Sequence, residues 1–82
     1  MHATNDETYE ALVTALERRY AATIASQARR LVRQHGSDEA GRDEARELLT
    51  SYLLGDAAWE LVKAVDISDI AYEAIEDAVN QA

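Results

Sequence analysis

The chain has 82 residues, sixteen acids against eight bases for a net charge of −8, and neither cysteine nor proline. That length suits one domain, residues 1–82, which buries only about 60 to 65% of its unfolded-chain surface and so has a thin stability margin. The composition argues against a disulfide framework or thiolate catalysis, against a membrane span or apolar leader, so that a cytoplasmic protein is expected, and against direct affinity for nucleic acid or anionic membranes.

Thr4, Asn5 or Asp6 is placed to cap a first helix running to about Gln34, acidic in its opening turns and carrying Arg29, Arg30 and Arg33 towards its end, as the helix dipole favours. Its apolar positions Tyr9, Leu12, Val13, Leu16, Tyr20, Ile24 and Leu31 recur near the 3.6-residue period. Such a helix spans roughly 42 Å, longer than a compact globule of this size is wide, so the shorter helices must pack along it. A second lane of Ala21, Ala25, Ala28 and Val32 permits close approach of another helix, either the last one of this chain or a partner's. Gln27 falls on the apolar face, where a buried amide needs a hydrogen-bond partner or costs on the order of 1 to 3 kcal/mol.

His35-Gly36 ends this helix, with Gly36 suited to a left-handed C′ position. Ser37 then caps a second helix to about Leu54, with Asp38 and Glu39 at its positive end, Gly41 as a discordant residue in its opening, and Ala45, Leu48, Leu49, Tyr52 and Leu53 as its stripe. Gly55-Asp56 repeats the stop-and-cap signal. A short third helix is expected from Ala57 to Val65, with Ala58, Leu61, Val62 and Val65 inward. Asp66 or Ser68 then caps a last helix to about Asn80 whose stripe is Ile67, Ile70, Ala71, Ala74, Ile75 and Ala78. The expected fold is all-α: a compact three- or four-helix bundle with a long first helix and short loops.

Reactive chemistry is sparse. His2 and His35 are the only imidazoles, and neither has a metal-ligand neighbour at helical spacing. The twelve residues from Asp66 to Asp77 have the length of a calcium loop, but its fifth position is Ile70 and its glycine position is Ala71. No nucleophile elbow or phosphate-cradling glycine loop occurs, so neither catalysis nor a cofactor nor a metal is expected. A DNA-reading helix after Gly55 would carry Asp56 and Glu60 against Lys63 alone, too few bases to neutralise phosphates.

What stands out is the sorting of charge. Residues 56–82 hold seven acids and a single base, Lys63, and five of the acids, Asp66, Asp69, Glu73, Glu76 and Asp77, fall on the last helix opposite Ile67, Ala71 and Ala78. Like charges at i,i+3 and i,i+4 destabilise a helix by about 0.2 to 0.5 kcal/mol per pair, and the dipole disfavours acids near a C-terminus. Stability alone would not place them there. Three accounts compete: Arg29, Arg30 and Arg33 fold over and pair with the ridge; it is a solvated face of a protein from a GC-rich or salt-adapted source, as seven arginines to one lysine would also suit; or it docks on a basic partner protein.

The last account leads to a non-catalytic acidic binding protein with Asp66, Asp69, Glu73, Glu76 and Asp77 as its contact residues and Tyr72 and Trp59 as candidate aromatic anchors, the core being the alternative place for Trp59. Carboxylates at helical intervals imitate the charge of a phosphate backbone. Small acidic proteins of phages and mobile elements use that device as anti-defence inhibitors of host restriction or CRISPR-type machines. The competing expectation is a structural or adaptor subunit that forms a homodimer through Tyr9, Leu16, Tyr20, Ile24 and Ala28 of the long helix.

Overall fold

The computed structural model describes residues 3–81; His2 lies outside the described residues. Four α-helices carry the chain, α1 (Ala3–Arg19), α2 (Ala21–His35), α3 (Glu39–Leu54) and α4 (Ala64–Gln81), with one 3₁₀ turn, Ala57–Trp59, between α3 and α4. The small all-α bundle expected from periodicity is what forms. No helix among the described residues is long and apolar enough to cross a membrane.

The expected single first helix is two. Its break falls at Tyr20, whose φ of −106° and ψ of 13° leave the helical region, although its N–H still donates to the Leu16 carbonyl and its own carbonyl accepts from Ile24 N–H. No proline or glycine causes this. On one continuous spiral, Tyr9, Leu12, Val13, Leu16 and Tyr20 would point roughly 90° away from Ile24, Ala28, Leu31 and Val32, so an uninterrupted helix cannot set both groups on one core. At the break the Tyr20 ring sits 6.2 Å from that of Trp59, at a tilt of 50°. The helix also begins at Ala3, ahead of the caps expected at Thr4 to Asp6.

Gly36 closes α2 with φ 94° and ψ 163°, a region reserved for glycine but more extended than the left-handed C′ conformation expected of it. Asp38, not Ser37, then caps α3: its carboxylate accepts from Gly41 N–H at 2.9 Å. Gly41 is discordant for a reason. It is buried where the chain reverses, and a Cβ there would run into the carbonyl oxygens of His35 and Gly36.

The expected third helix shrinks to a single turn. Asp56 caps it by accepting from Ala58 N–H at 2.9 Å, and Trp59 and Val62 enter the core while Leu61 and Val65 are left 73% and 64% exposed. Val65 belongs to α4, which starts at Ala64, ahead of Asp66 and Ser68; the Lys63 carbonyl, accepting from both Asp66 and Ile67 N–H, fills the first-acceptor role.

Helices α2, α3 and α4 pack mutually, and α3 runs antiparallel to the other two. Arg42 at the start of α3 meets Glu76 near the end of α4, whereas Thr50 and Ser51 lie across from Ser68 and Asp69. Ala28, Ala45, Ala71 and Ala78 sit at the contacts and let the backbones approach, while Leu49, Leu53, Trp59, Ile67 and Ile75 fill the volume. Helix α1 continues the line of α2 past this core, so the molecule measures 46 × 20 × 18 Å. Tyr9, Leu12, Val13, Leu16 and Tyr20 are only half-buried against the core, and Leu48 and Tyr52 of the α3 stripe are partly exposed.

Candidate partner-binding face

Five carboxylates on α4 share one side because 100° steps from Asp66 through Asp69, Glu73 and Glu76 to Asp77 return within an arc of about 100°. The opposite side carries the buried Ile67, Ala71, Ile75 and Ala78. The face expected from spacing is therefore present as a face, but its members differ in what they touch.

Two are engaged within the molecule. The Tyr9 hydroxyl donates to the Asp66 carboxylate at 2.6 Å, and Asp66 is half-buried. Glu76 lies 3.5 Å from the Arg42 guanidinium. Glu76 and Asp77 stand near the negative end of the α4 dipole, and the antiparallel α3 compensates by bringing its positive N-terminus and Arg42 alongside. The three others, Asp69, Glu73 and Asp77, are exposed, and no hydrogen bond or ion pair reaches their carboxylates from the described residues.

Arg29, Arg30 and Arg33, which one of the three accounts pairs with this ridge, form no ion pair with it among the described residues. Arg30 donates to the Gln27 side-chain oxygen at 2.6 Å, which satisfies an amide that proves half-buried and not central to the core. Arg29 lies across a groove from Glu73 and Asp77, and Arg33 borders the same helix pair further along. Neither makes an ion pair among the described residues, where the pairs are Arg42–Glu76 and Arg46–Asp43.

The two aromatic anchors separate. Tyr72 is 46% exposed, with the Arg46 guanidinium 4.6 Å above its ring, and it borders Asp69 on the α3 side. Trp59 is 1% exposed and is one of the largest fully buried side chains, so it cannot be a docking anchor; the 3₁₀ turn points it into the core beside Tyr20. Likewise Ile24 and Ala28, expected in a homodimer seam, are buried within the bundle, leaving Tyr9, Leu16 and Tyr20 half-exposed.

Helix packing adds acids that spacing along one helix could not supply. Glu17, at the end of α1, lines the groove that Glu73 and Asp77 overlook, and Asp43 and Glu47 of α3 flank Asp69. The carboxyl surface therefore wraps from α1 across α4 to α3. Their helical phase marks them only as outward-facing; the register between helices decides that they adjoin Asp69, Glu73 and Asp77.

Comparison with protein-family models, with curated proteins and with solved structures finds no match to this chain.

Proposed function

We propose that this protein is a non-catalytic binding protein of the cytosol that docks through the outer face of α4 onto a lysine- and arginine-rich surface of a partner protein. The observation that carries this is the unpaired state of Asp69, Glu73 and Asp77: three exposed carboxylates on one helix, none of them in an ion pair or hydrogen bond among the described residues. Their mutual repulsion weakens α4, and a basic partner removes it.

Charge mimicry of nucleic acid, and with it inhibition of a restriction or CRISPR-type machine of a host, is the finer form of this proposal. Asp69, Glu73 and Asp77 span about 12 Å of helix, one charge per roughly 4 to 6 Å, sparser than the 3.4 Å per phosphate of a single strand. Releasing Glu76 from Arg42 on contact would raise that density. A basic channel is the partner surface such a helix fits.

The test is a pull-down from the native host with the wild-type protein and with Asp69→Lys/Glu73→Lys/Asp77→Lys, whose folding is checked by circular dichroism. Partners captured by wild type should be lost by the variant and released between low and high salt. Capture unchanged by the triple reversal would refute the docking face. Competition by duplex or single-stranded DNA for the captured partner separates mimicry from simple charge pairing.

A further inference from the structure

Helix α1 is held to the molecule differently from the other three helices. The fully buried apolar side chains of the core lie between Ile24 and Ala78, and none of the side chains described on α1 is among them. Tyr9, Leu12, Val13 and Leu16 rest half-buried against that core, and the Tyr9 hydroxyl ties α1 to Asp66 and to the Lys63 backbone. At the other end of α1, Tyr20 has the non-helical φ of −106° and ψ of 13° yet keeps its hydrogen bonds to Leu16 and Ile24. Rotation at that one residue re-aims α1 while both helices stay wound. Charge opposes the closed arrangement: Asp6 and Glu10 of α1 and Asp66 of α4 border one cleft of about 460 Å³, with Lys63 as the base among its lining residues.

We infer that α1 is a hinged strap, released about Tyr20 by repulsion between its carboxylates and those of α4, and closed onto the Tyr9 catch when a basic partner docks. The core permits this, because no fully buried side chain leaves with α1. Closure brings Asp6 and Glu10 beside Asp66, the first acid of the α4 face, so a polycation meets more negative charge in the closed state than in the released one. It therefore binds the closed state more tightly, and by reciprocity shifts the strap towards closure. Simple salt acts in the same direction, since screening removes the repulsion. This rests on the docking face proposed above and adds a moving part to it, which lengthens the acidic surface at the start of α4.

The full chain has no cysteine, so Ala11→Cys on α1 and Gln34→Cys on α2, both at exposed positions, can carry a fluorescent donor–acceptor pair read molecule by molecule. At low ionic strength two distance populations should appear, a narrow closed one and a released one. Added salt, and oligolysine at constant ionic strength, should each move molecules into the closed population. Tyr9→Phe, which removes the catch, should enlarge the released population, and Glu10→Gln, which removes a facing carboxylate, should shrink it at low salt. A single population unmoved by salt, by Tyr9→Phe and by Glu10→Gln would make α1 a fixed part of the bundle and overturn the strap. So would a released population that grows with oligolysine, since docking and closure would then oppose each other. Failure of the docking face is seen separately, as oligolysine binding and closure unaltered by Asp69→Lys/Glu73→Lys/Asp77→Lys while the strap still answers to salt.

Discussion

The Tyr9 hydroxyl donates to the Asp66 carboxylate at 2.6 Å across 57 residues of sequence, and accepts from the Lys63 backbone N–H at 2.8 Å. One phenol thus ties α1 to the start of α4 and occupies an N–H that α4 leaves without a helical acceptor. The Lys63 ammonium, 5.0 Å from the centre of the Tyr9 ring, adds a cation–π contact. Tyr9→Phe keeps the ring and removes both hydrogen bonds, so urea unfolding should show a lower midpoint than wild type. Amide exchange should quicken in α1 before it does in α3.

The same pair sets an alkaline limit. Partial burial first, and the Asp66 carboxylate second, push the Tyr9 phenol above its ordinary value near 10. A folded-state value above the unfolded one means that the unfolded chain loses its proton first. This contribution to stability is therefore complete below about pH 10 and is lost as pH rises through the folded value. Wild type should lose stability faster than Tyr9→Phe above pH 10, followed by denaturant midpoints and tyrosinate absorbance. Parallel curves for the two proteins would show that Tyr9 does not couple ionisation to folding.

Trp59 is the largest fully buried side chain, held by a single 3₁₀ turn. Trp59→Ala should cost about 3 to 5 kcal/mol, a large part of what holds a domain of this size together. In wild type its fluorescence should be blue-shifted and indifferent to partner binding. A shift on binding would mean that the core opens.

Sequence periodicity finds α3 and α4, and the helical character of the stretch that forms α2, because their inward residues, Ile24 to Val32, Ala45 to Leu53 and Ile67 to Ala78, keep one phase over two to three turns. It fails where phase changes without punctuation. Nothing local marks Tyr20, where the helix changes phase and the ring meets the distant Trp59. Nor can periodicity tell a short amphipathic stretch such as 57–65 from a turn that buries Trp59 and Val62 and leaves Leu61 in solvent. The acidic face was legible as an angular cluster on α4. Which acids are free was not, because Tyr9 and Arg42 come from elements whose placement depends on tertiary register.

Gly41 tests how α2 hands over to α3. An added methyl would collide with the His35 and Gly36 carbonyl oxygens, which are backbone and cannot swing aside. Although alanine is the better helix former by about 1 kcal/mol, Gly41→Ala should lower stability by about 1 to 3 kcal/mol in thermal unfolding, the cost of forcing a packed backbone apart. A rise in melting temperature would show that the α2–α3 reversal relaxes freely.

Glu73 offers the sharpest separation of function from stability. It stands at i,i+4 from both Asp69 and Asp77 and at i,i+3 from Glu76, three like-charge neighbours each disfavouring the helix by about 0.2 to 0.5 kcal/mol. No hydrogen bond or ion pair from the described residues offsets them at Glu73. Glu73→Gln should therefore raise stability by about 0.5 to 1 kcal/mol at low ionic strength, and the gain should shrink in high salt as screening removes the repulsion. If the variant is instead less stable, an attractive partner within the chain holds Glu73, and α4 does not present a free carboxylate there. A variant that is more stable and binds its partner more weakly would identify Glu73 as a residue kept for contact at the expense of the helix that carries it.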